Sequence, residues 1–163
     1  MKNPVLTTLR WMDLRRNVST LSTGLLPLKK VHSAVVFVDA VEPEGDDAER
    51  VSRAVRQFFE YQGIPVTILS PVKKDLNMIG RLKPRVRGRH RNPRREDLFI
   101  SLAATPESFA AEFEARCSRA RFKVGRFQLP EKVFDLVVAA PGGADATQSA
   151  AFSAIKDYLS KIR

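Results

Sequence analysis

The chain has 163 residues, 44% of them apolar, and a formal net charge of +10 from 28 Lys and Arg against 18 Asp and Glu. That length suits one domain with a sizeable core, and no apolar run approaches the roughly 20 residues that span a bilayer. The single cysteine, Cys117, excludes an internal disulfide, and with only His32 and His90 elsewhere no ligand set for a structural zinc exists.

Residues 1–30 read as a basic N-terminal segment and linker. Lys2 is followed by Pro4, Asp13, Arg15 and Arg16, not by the apolar core and cleavage site of a signal peptide. With the lone cysteine, this reads as a cytoplasmic chain. Val5 to Val18 fits a short basic amphipathic helix, with Leu6, Leu9 and Met12 or Asp13 on one face. Ser19 to Gly24 is a Ser/Thr-rich link.

Residues 31–163 read as a single α/β domain. Ala34–Asp39 (AVVFVD) is an apolar, β-branched run of the kind buried on both faces of a sheet. Past Pro43 and Gly45, Asp46 and Asp47 stand where a cap and first-turn carboxylates belong, and Ala48, Val51, Val55, Phe58 and Gln62 recur at helical spacing. Gly63 stops that helix, and Pro65–Leu69 is the second strand.

A basic loop at about 73–96 leads to the third strand. Its stretch from Arg81 to Arg95 (RLKPRVRGRHRNPRR) holds eight cations and no carboxylate, and so carries +8 of the +10. Leu98–Leu102 is the third strand. Thr105, Pro106 and Glu107 then look like cap, first-turn proline and dipole-matched acid, opening a helix with Phe109, Phe113, Cys117 and Ala120 on one side. Fourth and fifth strands follow at Phe122–Val124 and Phe134–Ala139. A last helix runs from about Asp145 to Ile162, its stripe made by Phe152, Ile155, Leu159 and Ile162. Phe109, Phe113, Phe152, Ile155 and Leu159 are expected to pack on the sheet.

Alternating strands and helices imply a Rossmann-like α/β fold. The expected architecture is one open, mostly parallel five-stranded sheet in the flavodoxin-like order 2-1-3-4-5, with helices on both faces. Only Gly125–Val133 links the fourth strand to the fifth, short for a parallel crossover, so the fifth strand is expected to be antiparallel and at an edge.

Two segments, Lys73–Gly80 (KKDLNMIG) and Ser118–Val138 (SRARFKVGRFQLPEKVFDLVV), resemble an uncharacterised Bacteroidetes family of small α/β proteins. The likeness covers roughly residues 30–163 and is most specific at Phe122-Lys123-Val124-Gly125-Arg126. Met78 and Ile79 replace the family's aromatic pair, and Ser101 stands where it has an aspartate. The resemblance implies the fold and assigns no catalytic residue. A fainter likeness, at the level of fold, is to the acceptor-side half of heptosyltransferase-type glycosyltransferases.

Two candidate sites compete. Arg81, Lys83, Arg85, Arg87, Arg89, Arg91, Arg94 and Arg95 suit phosphate capture, which points to a polyanion, RNA before DNA; the plainer account is a solvated loop. No aromatic lies among them to stack a base. The second site is the crevice at the strand ends, where Asp39, Ser101 and Thr105, with Gly125 and Arg126 beside them, suit a sugar or phosphorylated ligand, either simply bound or acted on by general base chemistry in a transferase-like enzyme. Its plainer account makes Asp39 an acceptor for its own turn. Pro141-Gly142-Gly143 lacks both GxGxxG and GK[ST], and an antiparallel fifth strand would set it on the wrong edge for a phosphate cradle. A third possibility is a subunit whose protein partner covers the N-terminal segment. No metal or cofactor is implied, and Cys117 reads as a core thiol.

Overall fold

β-Branched residues with no polar neighbour place Ala34–Val38 (β1) at the centre of a sheet, where both faces are covered. The computed structural model describes residues 3–20, 22–40, 46–86 and 96–162. Around β1 lie β2 (Val66–Leu69), β3 (Leu98–Leu102), β4 (Phe122–Gly125) and β5 (Leu136–Val137). Their order is β2-β1-β3-β4-β5, and every neighbouring pair is parallel.

Alternation along the strands sorts the core into two layers. Val36, Ile100, Leu102 and Phe122 face α2 (Asp46–Gln62) and α4 (Gln148–Lys161), which meet them through Val51, Val55, Phe59, Phe152, Ile155 and Leu159. Phe59, outside the stripe expected from sequence, is fully buried. Phe58 packs edge-on against Phe59 and Phe152, with ring centroids 5.1 and 5.9 Å away. Val35, Phe37 and Phe99 face the other way, onto Ala110, Ala111 and Ala115 of α3 (Phe109–Cys117).

That second layer corrects the core expected from the sequence. Phe109 and Phe113 are buried, but not on the sheet: with Cys117 they pack against Leu14 and Ile79. Small alanines let α3 lie close to the strands, which leaves its bulky side for another partner. The partner is α1 (Pro4–Asn17), started by Asn3, whose Oδ1 accepts from the Val5 and Leu6 amides at 3.0 and 3.4 Å. Leu9 and Met12 point outward; Leu14, Arg10 and Asp13 make the inner contacts.

The fifth strand is parallel, not antiparallel. It pairs through only Val124↔Leu136 and Gly125↔Val137, so the chain has little distance to recover before re-entering the sheet. Residues 126–135 cover that distance as a loop whose apolar residues turn inward. Phe134 is buried, and Phe127, Leu129 and Val133 pack over the same layer, standing in for a crossover helix. The link turns at Glu131 and Lys132, both at positive φ (65° and 30°).

Two helix starts also move. Ser108, not Thr105, caps α3 by accepting from the Ala111 amide at 3.4 Å, while residues 104–107 form a bend and turn before it. Gly143–Asp145 makes a 3-10 turn, and α4 begins only after Thr147, whose hydroxyl accepts from Ala150 N at 3.1 Å.

Candidate functional site

Every residue of Phe122–Arg126 is buried, and each polar or small member has a specific partner. Lys123 leaves the strand toward α3 and donates from Nζ to the Ala115 carbonyl at 2.8 Å, placing a cation at that helix's C-terminus. Burial lowers the Lys123 pKa from the ordinary lysine value, and Cys117, Asp135 and Glu96 partly offset this. Asp135 ties the same region together: its Oδ2 accepts from Lys123 N at 2.9 Å and its Oδ1 from the Thr23 hydroxyl at 2.8 Å. Glu96, also buried, accepts from the Ser118 hydroxyl at 2.9 Å.

Gly125 and Arg126 sit at the crevice edge, as their sequence positions imply. A Cβ at Gly125 would collide with the Phe134 ring, so the glycine makes room for the aromatic that closes the loop over the sheet. Arg126 is buried, its guanidinium 4.7 Å from the Phe127 ring centroid. It donates to the carbonyls of Ala103 (3.2 Å) and Ala146 (2.8 Å), which fastens the end of β3 to the entry of α4. Desolvation lowers the Arg126 pKa from its usual value, with Asp47 acting the other way.

Ser101, Thr105 and Arg126 line one cavity with Phe127 and Phe134, and its volume is about 10 Å³. That is space for about one water, where small-ligand sites usually offer about 300–1,000 Å³. Ser101 is buried and Thr105 exposed. Asp39 is held by its neighbours: Gln148 clamps its main chain, accepting from its N–H at 2.8 Å and donating to its C=O at 2.7 Å. The Asp39 carboxylate accepts from Ala104 N at 3.2 Å, so it joins β1 to the end of β3 and not merely to its own turn.

Because β5 is parallel, Pro141-Gly142-Gly143 follows the C-terminal end of the sheet, the edge that Asp39 occupies, and not the opposite one. Gly142 and Gly143 take φ of 95° and 70°, which favours glycine. The anion-binding end of α4 already holds a carboxylate. Asp47 accepts from Gln148 N (2.8 Å), Ser149 N (3.3 Å) and the Ser149 hydroxyl (2.6 Å). Nothing in the sequence separated Asp47 from an ordinary first-turn acid of its own helix, and Gln148 gave no signal at all.

The basic segment divides in two. Its first half is folded. Lys73–Asp75 forms a 3-10 turn, Leu76 bridges Leu82 antiparallel, and Asn77 Oδ1 accepts from the amides of Ile79 and Arg81, both at 3.1 Å. Arg81 belongs to the interior of this structure: its Nη1 lies 2.9 Å from both carboxylate oxygens of Asp13, and its guanidinium is 4.3 Å from the Phe113 centroid. Arg10 donates to the Ile79 carbonyl at 2.7 Å and covers Phe109 at 4.7 Å. Lys73, Lys74, Lys83 and Arg85 are exposed, and Lys83 Nζ donates to the Lys74 carbonyl at 2.8 Å. Arg87, Arg89, Arg91, Arg94 and Arg95 lie outside the described residues.

α1 also borders a groove of about 540 Å³ whose walls include Trp11, Leu14, Arg15, Val18, Arg116 and Pro130. Trp11 is 57% exposed. Its signal in the sequence was its uniqueness as the chain's one tryptophan, set among Arg10, Arg15 and Arg16. None of the described helices is long and apolar enough to cross a membrane. No family model, curated protein or solved structure matches the chain.

Proposed function

We propose that the chain is a non-enzymatic binding module that holds a polyanion, RNA before DNA, on the cations of its basic segment. The observation that carries this reading is the charge that remains once structural cations are set aside. Arg81 faces Asp13 and Phe113, yet residues 83–95 still contain Lys83, Arg85, Arg87, Arg89, Arg91, Arg94 and Arg95 with no carboxylate. Lys73, Lys74, Lys83 and Arg85 are exposed on a short folded unit braced against α1. Such a unit offers phosphates cations with part of their ordering already done.

The strand-end crevice supports the same preference. The cavity lined by Ser101, Thr105 and Arg126 holds about one water, and Arg126 is engaged by two carbonyls. Kinship with the small Bacteroidetes α/β proteins belongs to this proposal as a statement about fold, since the block that carries it is buried throughout. A cytoplasmic location, where RNA is at hand, fits the reading as well.

The test compares the chain with a variant in which Arg85, Arg87, Arg89 and Arg91 are replaced by Ser, using a mixed-sequence RNA at low salt. The parent binds and the variant binds much more weakly, by a similar factor on unrelated sequences, because phosphate contacts do not read bases. A parent that fails to bind, or a variant that binds equally well, removes the proposal.

A further inference from the structure

A basic segment without aromatics grips phosphates but has nothing on which to stack a base. The fold supplies what the segment lacks from a distant part of the sequence. Arg81–Asp13 and Arg10–Ile79 fasten the segment to one flank of α1. On the other flank Trp11, Leu14 and Val18 line the groove against α3. Resting on the reading above, we propose that this groove is a base-stacking site for single-stranded RNA, with Trp11 as its platform.

Three features of the groove suit an unpaired base. The first is an indole that remains 57% exposed, at a cost in exposed apolar area that a stacked base would recover. The second is charge. Arg15 lies over one face of the Trp11 ring, 5.0 Å from its centroid, which leaves the other face for a base, and Arg16 is exposed on the same helix, so cations adjoin the indole. The third is the floor. Two carboxylates line it, Glu112 and Glu131. Arg116 pairs with both, Nε 3.0 Å from Glu112 and Nη1 3.8 Å from Glu131, and with Arg15 the four charges of the lining balance.

Continuity with the basic segment selects single strands. A strand must cross α1, about 10 Å wide, to reach the groove from the segment's flank, and a few unpaired nucleotides do so easily. A duplex keeps its bases stacked inside and presents none to the indole. Stacking is also tolerant of sequence, since every base has a π-face.

The unique tryptophan makes the test direct. The full chain is titrated at low salt with a labelled mixed-sequence single-stranded RNA and with a duplex RNA of equal length. Trp11 emission and RNA anisotropy are followed together, and thermal melts establish that each variant is folded. Single strands should quench Trp11 in step with the rise in anisotropy. Trp11→Ala should weaken single-strand binding roughly ten- to a hundred-fold, with little effect on the duplex, whereas Trp11→Phe keeps most of the affinity. Anisotropy that rises with Trp11 unquenched, or equal binding by Trp11→Ala, overturns the stacking site and leaves the polyanion reading standing. No anisotropy change with either RNA overturns both. An emission change caused by vesicles of anionic phospholipid and not by RNA assigns the groove to a membrane surface and overturns the site as proposed.

Discussion

Gly125 and Phe134 are the clearest case of one residue fixing another. The ring occupies the space a side chain at 125 would need, so Gly125→Ala should destabilise the fold by about 1–3 kcal/mol through overpacking. Phe134→Ala should cost about 3–5 kcal/mol as a cavity. The double variant should lose less than the sum of the two, because the collision vanishes with the ring. Urea midpoints of the three proteins check this, and strict additivity would mean that the two positions do not meet.

Among the arginines, position decides the role. Arg81→Ala should cost about 1.5–3 kcal/mol, the usual worth of hydrogen bonds to a charged group, since it strips Asp13 of its partner. Arg85→Ala should stay within about 0.5 kcal/mol, as expected of an exposed side chain. Thermal unfolding of both variants separates them, and equal losses would undo the distinction between structural and free cations. Lys123 supplies a test in pH. Its folded pKa is depressed by burial, so above that pKa the unfolded chain holds the extra proton until the ordinary lysine value near 10.4. Stability attributable to Lys123 therefore rises with pH in that alkaline window. Urea unfolding of the parent and of Lys123→Met, from pH 7 to pH 10, should show the parent gaining on the variant as pH rises; a constant difference would contradict the assignment.

At the scale of elements, periodicity was legible wherever one helix face met one surface. The stripe Phe152, Ile155 and Leu159 is buried on the sheet as its spacing implies. α3 misled because both of its sides are covered: the large residues that mark its apolar stripe face α1, and the sheet receives alanines. α1 misled for a related reason. Its inner face is held by Arg10 and Asp13 as much as by Leu14, and no hydropathy pattern marks an arginine lying over a ring. The parallel β5 was hidden because a loop carrying Phe127, Leu129 and Phe134 does the covering that a helix normally does. Phe113→Ala should accordingly cost about 3–5 kcal/mol and loosen α1 together with the hairpin at 76–82. Hydrogen exchange would detect that as faster exchange in both segments, and protection unchanged in α1 would place Phe113 outside that interface.

Across the whole molecule, the excess positive charge is concentrated in one stretch of sequence, residues 81–95. The sheet order was readable from strand composition and the alternation of strands with helices, the short link to β5 misled on its direction, and the concentration of charge was readable from a simple count. The split of that charge into structural and exposed cations was not, because Asp13 and Phe113, the partners of Arg81, lie 68 and 32 residues away in the chain. The candidate crevice was misread for a similar reason: its residue types fit a ligand site, but Gln148, which clamps Asp39, and Phe134, which packs against Gly125, come from distant or irregular segments.

The proposal is that the basic segment binds RNA through phosphates while Asp39 and Arg126 at the strand ends serve as structural ties. The most direct measurement is the affinity for a mixed-sequence single-stranded RNA as a function of salt. Seven phosphate contacts would give a slope of log affinity against log salt near about −5, from roughly −0.7 per contact, and partial engagement should bring it to about −3 to −4. Replacing Arg85, Arg87, Arg89 and Arg91 by Ser should flatten that slope to about −1 to −2 with the unfolding midpoint unchanged. A parent slope near zero, or one the four substitutions leave untouched, would contradict the account.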